Sequence, residues 1–470
     1  MKRAALAALA LICAVTPGHA QNLSSDDLSR RTIERRAVEA VIWGMPAVNY
    51  DLMLEAMIRE AKGAANQIVY WSRLPDWKNQ TLTPNPDVIY LMPFFNTKDA
   101  GPMVLEIPPA DDGVINGTVM DAWQVPLEDV GPSGVDKGTG AKYLILPPGH
   151  KGTAPQGYVA LPSMNYQGYA LLRSILKSGS DADIAKAVAY AKRIKLYPLS
   201  QAANPPATTF VDAIDVVYDS TIPYDLRFFQ SLDRVVQMEP WLARDKLMIE
   251  MLKSIGIEKS KPFNPDARNQ DILKSAAREA RALLESRYEG VLTPYFDSSR
   301  WAPPALPDYL KASQDGFSDP NAYPLDNRGL IFTFAFFTPK HPGEGQFYLM
   351  TVKDKEGQNF DGSRSYRLAV PANAPVRQYW SATVYDRATH GLIRDMPRSG
   401  RGSQSPGLQK NTDGSVDIYF GPKAPAGKDS NWVPTNPSGQ FEVLFRFYGP
   451  DKPLFDKTWK LPDVERITAQ

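Results

Sequence analysis

Three residues are best suited to acid–base chemistry in this sequence: Asp87, Asp386 and His390. Asp87 closes Asn85-Pro86-Asp87 just ahead of the apolar run Val88-Ile89-Tyr90-Leu91, so it stands at the mouth of an expected strand. A carboxylate there can act as a general base or hold a cation, although Asn and Asp also shape plain turns. Asp386 ends Thr383-Val384-Tyr385-Asp386, and His390 follows in the same segment. An imidazole beside a carboxylate can serve as a general base near neutral pH. Arg394 comes next, and then the loop Arg398-Ser399-Gly400-Arg401-Gly402-Ser403. Its two guanidiniums and several backbone N–H groups suit a carboxylate, sulfate or phosphate, unless the loop is only a solvated connection. Aromatic residues accompany these groups: Tyr90, Trp123, Tyr385, and Trp432 after Asn431. Such rings either stack on a ligand or anchor a loop.

Other chemistries lack a motif. His150, His341 and His390 are far apart, without the paired spacing of a local zinc site. No Gly-x-Ser-x-Gly elbow occurs, and Ser174 with Lys177 forms a Ser-x-x-Lys that has no companion motif. The glycines from Gly131 to Gly140 lack the spacing of a phosphate or dinucleotide loop. No cofactor is indicated, and a divalent metal is left open.

The elements that must position these groups follow from the rest of the chain. Lys2 and Arg3 precede an apolar run from Ala4 to Val15, and Pro17, Gly18, His19 and Ala20 follow. That is the pattern of a cleavable signal peptide over 1–20, too short to span a bilayer. The expected location is the periplasm or the exterior. Cleavage near Ala20 removes Cys13, the single cysteine, so the mature chain is expected to lack thiol and disulfide chemistry. With 53 Lys and Arg against 52 Asp and Glu, charge gives no reason to expect nucleic acid as a partner. No later stretch reaches transmembrane length. A small molecule is the expected partner, and self-association is left open.

The 41 prolines in 470 residues exceed an average near 5 %. Alternating with apolar runs, they suggest short strands joined by rigid turns. Residues 21–66 read as N-terminal helices: Ser24-Ser25-Asp26-Asp27 is a cap, Trp43-Gly44-Met45-Pro46 interrupts, and a second helix starts near Asn49. Residues 67–165 read as a first β domain and 166–300 as a helical connector. Residues 301–325, rich in Pro and Asp, read as a surface linker. Residues 326–470 read as a second β domain, with strands at 330–337, 347–352, 366–370, 378–385, 415–420 and 441–448. The expected fold class is α+β and β-rich: two sandwich- or jelly-roll-like lobes, a helical N-terminal segment and a helical middle.

Several motifs carry a family resemblance. Thr83-Pro84-Asn85-Pro86-Asp87 with Tyr90, Gly101-Pro102-Met103-Val104, and Asp136-Lys137-Gly138 leading to Tyr143-Leu144-Ile145-Leu146-Pro147-Pro148-Gly149 resemble domain of unknown function 1254 of bacterial proteins. Tyr366-Arg367-Leu368, Tyr379-Trp380-Ser381, Thr383-Val384-Tyr385-Asp386, Ser430-Asn431-Trp432-Val433-Pro434 and Thr458-Trp459-Lys460-Leu461-Pro462 resemble its usual companion, domain of unknown function 1214. The resemblance implies paired β domains with helical insertions, commonly exported, and assigns no catalytic residue. The family pattern often continues Asn-Pro-Asp with Thr, where this chain has Val88.

The functional expectation is a hydrolase acting on a small polar substrate in a cleft between the two lobes. Asp87, Tyr90 and Trp123 would face that cleft from one side, and Asp386, His390, Arg394 and Asn431 from the other. Tyr385, Arg398, Arg401 and Trp432 would help to bind the substrate. A non-catalytic binding or assembly protein is the main alternative, and a metal-dependent oxygenase the second.

Overall fold

The computed structural model describes residues 23–335, 339–341 and 345–468. The expected signal peptide and Cys13 lie outside the described residues. The N-terminal helix, Ser25–Arg59, starts where Ser24 Oγ accepts a hydrogen bond from the Asp27 N–H, with Asp26 and Asp27 in its first turn. It does not break at Trp43-Gly44-Met45-Pro46, contrary to the expected interruption. Pro46 removes one helical N–H, but burial of nearly every residue from Ala37 to Met57 holds the helix together. Two neighbours come unusually close at the weak point. A Cβ on Gly44 would stand 2.8 Å from Leu232 Cδ1, and one on Gly329 would stand 2.7 Å from the Ile42 carbonyl oxygen. That carbonyl is the acceptor that Pro46 cannot use.

The first lobe has three layers. Its six-stranded sheet runs Phe210–Asp212, Gln67–Tyr70, Ile89–Asn96, Gln167–Ser174, Ile115–Asp121, Pro126–Val130. Strand Ile89–Asn96 shows why this sheet must be covered twice. Tyr90, Met92 and Phe94 face the helices, whereas Leu91 and Phe95 face a second, four-stranded sheet containing Met103–Ile107 and Ala141–Leu146. Near-continuous apolar strands are what burial on both faces requires. The same property hides strand Gln167–Ser174, a central strand lying in the segment expected to be a helical connector. Helices Leu226–Met238, Lys246–Ser254 and Ala267–Val291 do lie further along that segment.

Two other expectations need correcting. The 330–337 stretch, expected as a strand, is helical as far as Phe334 in helix Leu325–Phe334, and its residues 328–334 are all buried. A short apolar run does not distinguish a buried strand from a buried helix. The expected surface linker is not on the surface throughout. Trp301 is 0 % exposed and donates its Nε1–H to the Pro462 carbonyl at 2.8 Å, and helix Pro307–Gln314 follows. Proline-rich composition marks turns without saying what their aromatic neighbours bury.

The second lobe is a sandwich of two four-stranded sheets. One runs Gln346–Thr351, Phe441–Pro450, Val376–Asp386, Gly400–Gly402; the other runs Trp432–Pro434, Val416–Gly421, Ser365–Val370, Glu465–Ile467. Phe441, Val443, Phe445 and Phe447 point into the sandwich with Trp380, Ala382 and Val384. The alternate residues Leu444 and Tyr448, with Tyr379 and Tyr385, join the core of the first lobe instead. The outer face of this sheet is therefore covered by the first lobe. The molecule is α+β, with β-rich lobes, an N-terminal helix and helices in the middle. Among the described residues no helix is long and apolar enough to cross a membrane.

Candidate functional site

The face where the lobes meet is polar and aromatic rather than aliphatic. Strand period places Glu442, Leu444, Arg446 and Tyr448 on it from one strand, and Tyr379, Ser381, Thr383 and Tyr385 from the next. These groups grip the turn at Thr83 to Asp87. Asn85 Nδ2 donates to the hydroxyls of Tyr379 at 3.0 Å and Tyr448 at 2.8 Å, whose rings stack at 4.4 Å. The Asn85 N–H donates to Tyr90 Oη at 2.8 Å, and Tyr385 Oη donates to the Pro84 carbonyl at 2.7 Å. Asn85 Oδ1 in turn accepts from the Asp87 N–H at 3.0 Å. The Asn-Pro-Asp motif is thus held by both lobes, with Asp87 at its end.

Asp87 lines a pocket of about 320 Å³ with Pro86, Trp77, Tyr379, Arg398 and Arg401. Its Oδ2 is covered from solvent and has no hydrogen-bond partner; the same is true of Arg401 Nε and Ser381 Oγ. Burial raises the Asp87 carboxyl above the usual carboxylate range, while Ser381, Arg446 and Arg401 pull it back down. Burial, and then Arg398, push the Arg401 guanidinium down to about 10, against the pull of Asp87. The two arginines differ in commitment. Arg398 Nη1 donates to the Asp429 carbonyl at 2.6 Å, and Arg398 Cζ lies 5.9 Å from the Trp432 ring centre. Arg401 Nε has no such bond.

His390 goes elsewhere. Its ring is buried, and Nδ1 lies 2.8 Å from Glu442 Oε1. Glu442 is 0 % exposed, and its Oε2 accepts from Tyr288 Oη at 3.0 Å. This cluster borders a separate cavity of about 100 Å³ that also touches Arg281, Glu285 and Arg387. Asp386 closes the local turn by accepting from the Ala388 N–H at 2.8 Å.

The structure therefore joins Asp87, Arg398 and Arg401 in one pocket, with Tyr90 and Tyr385 packed behind it. It does not bring the other expected residues there. Trp123 packs on Trp43 at 4.5 Å in the helical core, and Arg394 pairs with Asp219 at 2.6 Å near the surface. Asn431 is spent on the carbonyls of Gln409 and Asp417, and Trp432 Nε1 on that of Gly421. Sequence reasoning missed Ser381, Glu442 and Arg446. Their strands read as ordinary half-buried strands, and no local signal shows that the polar face is covered by another lobe. Among the described residues no three of His, Cys, Asp and Glu stand close enough together to hold a metal ion.

The pocket lies where two known domains meet. Residues 65–198 match the protein of unknown function family DUF1254, and residues 345–452 match the protein of unknown function family DUF1214. Asp87 falls in the first match, whereas Ser381, Arg398, Arg401 and Arg446 fall in the second. The crystal structure of the VPA0106 protein from Vibrio parahaemolyticus is similar at a TM-score of 0.55 and 17% identity, over 93% of this chain and 100% of that one. An uncharacterized protein from Burkholderia cenocepacia aligns at a TM-score of 0.42 and 10% identity, over 94% of this chain and 95% of that one. No curated protein matches the chain. The likeness at 17% identity supports the fold alone, and the two domain matches, in their order, place the chain in the family that joins an N-terminal DUF1254 domain to a C-terminal DUF1214 domain.

Proposed function

We propose that the pocket between the two domains binds a small polar molecule and hydrolyses it, with Asp87 as general base. One observation carries this reading: covered polar atoms without partners, Asp87 Oδ2 and Arg401 Nε, belong to side chains from different domains that line the same pocket. Such atoms cost about 1–3 kcal/mol each when left unsatisfied, so a partner supplied by a ligand would offset the cost. Asp87, made more basic by burial, would take a proton from a water whose oxygen bonds to the electrophilic centre. The bond to the leaving group breaks, and the proton passes to that group. Arg401 would hold the negative charge that develops.

The second reading is binding without turnover, favoured by the firm hold of both lobes on the Asn-Pro-Asp turn. Incubation with a panel of esters, phosphate esters and glycosides, followed by native mass spectrometry, separates the two. Hydrolysed products that vanish in Asp87→Asn support catalysis. An unaltered ligand retained by the protein supports binding alone. Activity that is equal in Asp87→Asn and the parent removes Asp87 from the mechanism. We further propose that the protein acts outside the cytoplasm, on the strength of the 1–20 pattern. N-terminal sequencing of the periplasmic fraction should start at Gln21, and full-length protein confined to the cytoplasm would contradict export.

A further inference from the structure

The cavity of about 100 Å³ beside His390 is separate from the Asp87 pocket, and the two share no lining residue. Its wall joins two parts of the chain. Arg387 and His390 come from the turn after strand Val376–Asp386, inside the second domain match. Arg281, Glu285 and Tyr288 come from helix Ala267–Val291, which neither match covers. The backbone of the turn does not call for histidine. His390 sits at φ 55°, in the left-handed region that favours glycine. Its side chain is nevertheless fixed. The ring is 6 % exposed, Nδ1 lies 2.8 Å from Glu442 Oε1, and the ring packs on Tyr288 with centres 5.3 Å apart.

Glu442 accepts at Nδ1, so the neutral imidazole carries its proton there and presents Nε2 as a hydrogen-bond acceptor. Among the described residues Nε2 has no partner. The Arg387 guanidinium lies 4.3 Å from the centre of the same Tyr288 ring. Among the described residues its side chain makes no hydrogen bond and no ion pair. The Glu289 carboxyl feels its charge but is paired with Lys353 at 2.9 Å. Arg281, by contrast, is committed to Glu285 at 2.7 Å and to the Ala388 carbonyl at 3.0 Å. Arg281 and Glu285 thus cancel, and Arg387 supplies the net charge of the lining. A cavity of this size holds several waters or one molecule of comparable bulk. We infer that it binds a small hydroxy acid, with the carboxylate on Arg387 and the hydroxyl donating to His390 Nε2. Guanidinium and carboxylate match in two parallel hydrogen bonds, and the hydroxyl supplies the donor that Nε2 lacks. Glu442 is a positioning residue here, because it holds the imidazole and leaves the ligand to others. The site does not depend on hydrolysis in the Asp87 pocket.

The test uses the whole protein and two acids that differ only in the hydroxyl, glycolate and acetate. Each is titrated at constant ionic strength and followed by calorimetry. Glycolate should bind about tenfold more tightly than acetate, the worth of one good hydrogen bond. In protein labelled with nitrogen-15 at histidine, glycolate should move the His390 Nε2 resonance and leave those of His150 and His341 in place. His390→Asn keeps an N–H for Glu442 and tolerates the left-handed backbone. It should bring glycolate down to the affinity of acetate, and Arg387→Gln should lose both acids. Asp87→Asn should bind glycolate as the parent does, even with its activity gone. If His390→Asn does not fold, the histidine resonance in the parent protein decides the matter. Absence of glycolate binding, equal affinity for the two acids, or binding that leaves the His390 Nε2 resonance unmoved would overturn the inference.

Discussion

Two carboxylates, one buried and one half-buried, stand at the junction of the lobes, and the fold treats them in opposite ways. Glu442 is sealed from solvent, with one oxygen accepting from Tyr288 and the other bonded to His390. Asp87 borders an open pocket and keeps a covered oxygen with no partner, near a guanidinium nitrogen in the same condition. Both carboxylates follow motifs that read alike in the sequence, an acidic residue on or beside a strand. The difference shows how a scaffold and a site are told apart. A saturated buried network stabilises the fold that contains it, whereas unsatisfied atoms on side chains that line a pocket leave room for a partner from outside.

Substitutions should separate the two. The largest effect is expected on turnover: Asp87→Asn should lower kcat/KM for any hydrolysed substrate about 100- to 10,000-fold, while circular dichroism shows an unchanged fold. The next largest is on stability. Glu442→Ala leaves His390 and Tyr288 without their shared acceptor and should cost about 3 kcal/mol, read from the urea midpoint, with little effect on ligand binding in the Asp87 pocket.

A third carboxylate sharpens the contrast. Glu239 accepts from the backbone N–H groups of Tyr166 at 2.6 Å and Gln167 at 2.9 Å, yet burial raises it to about 7. A carboxyl whose pKa is higher folded than unfolded holds its proton more tightly in the folded state. Its stabilising contribution is present below the unfolded value and is lost as pH rises from about 4.5 through 7. Glu239→Gln should flatten that part of the stability profile, a change of about 3 kcal/mol at most. Denaturation at pH 5 and pH 8 checks it, and a parent protein equally stable at both would refute it. The smallest effect belongs to Arg394→Ala. It breaks an exposed ion pair with Asp219 and should shift stability by less than about 1 kcal/mol and activity not at all.

The fold class and the two domains are legible in the sequence because long motifs and strand-like runs carry them. Asp87, Arg398 and Arg401 are legible as polar residues beside turns, but their convergence is not, since 314 positions of chain separate the first from the last. His390 is legible as an imidazole near Asp386, yet its partner proves to be Glu442, brought in by strand pairing with Tyr385. The helix through Pro46 and the strand at Gln167–Ser174 escape for a shared reason. Local breakers and apolar runs describe a segment alone, and packing from several sides overrides them.

The central claim is that Asp87 is kept for a ligand rather than for the fold. Urea denaturation of Asp87→Asn beside the parent, with activity measured on the same samples, tests it most directly. Replacing an incompletely satisfied, half-buried carboxyl with a neutral amide should leave the urea midpoint equal or higher while activity or ligand binding disappears. A midpoint lowered by the equivalent of about 2 kcal/mol or more, with activity retained, would contradict the account and make Asp87 a structural residue.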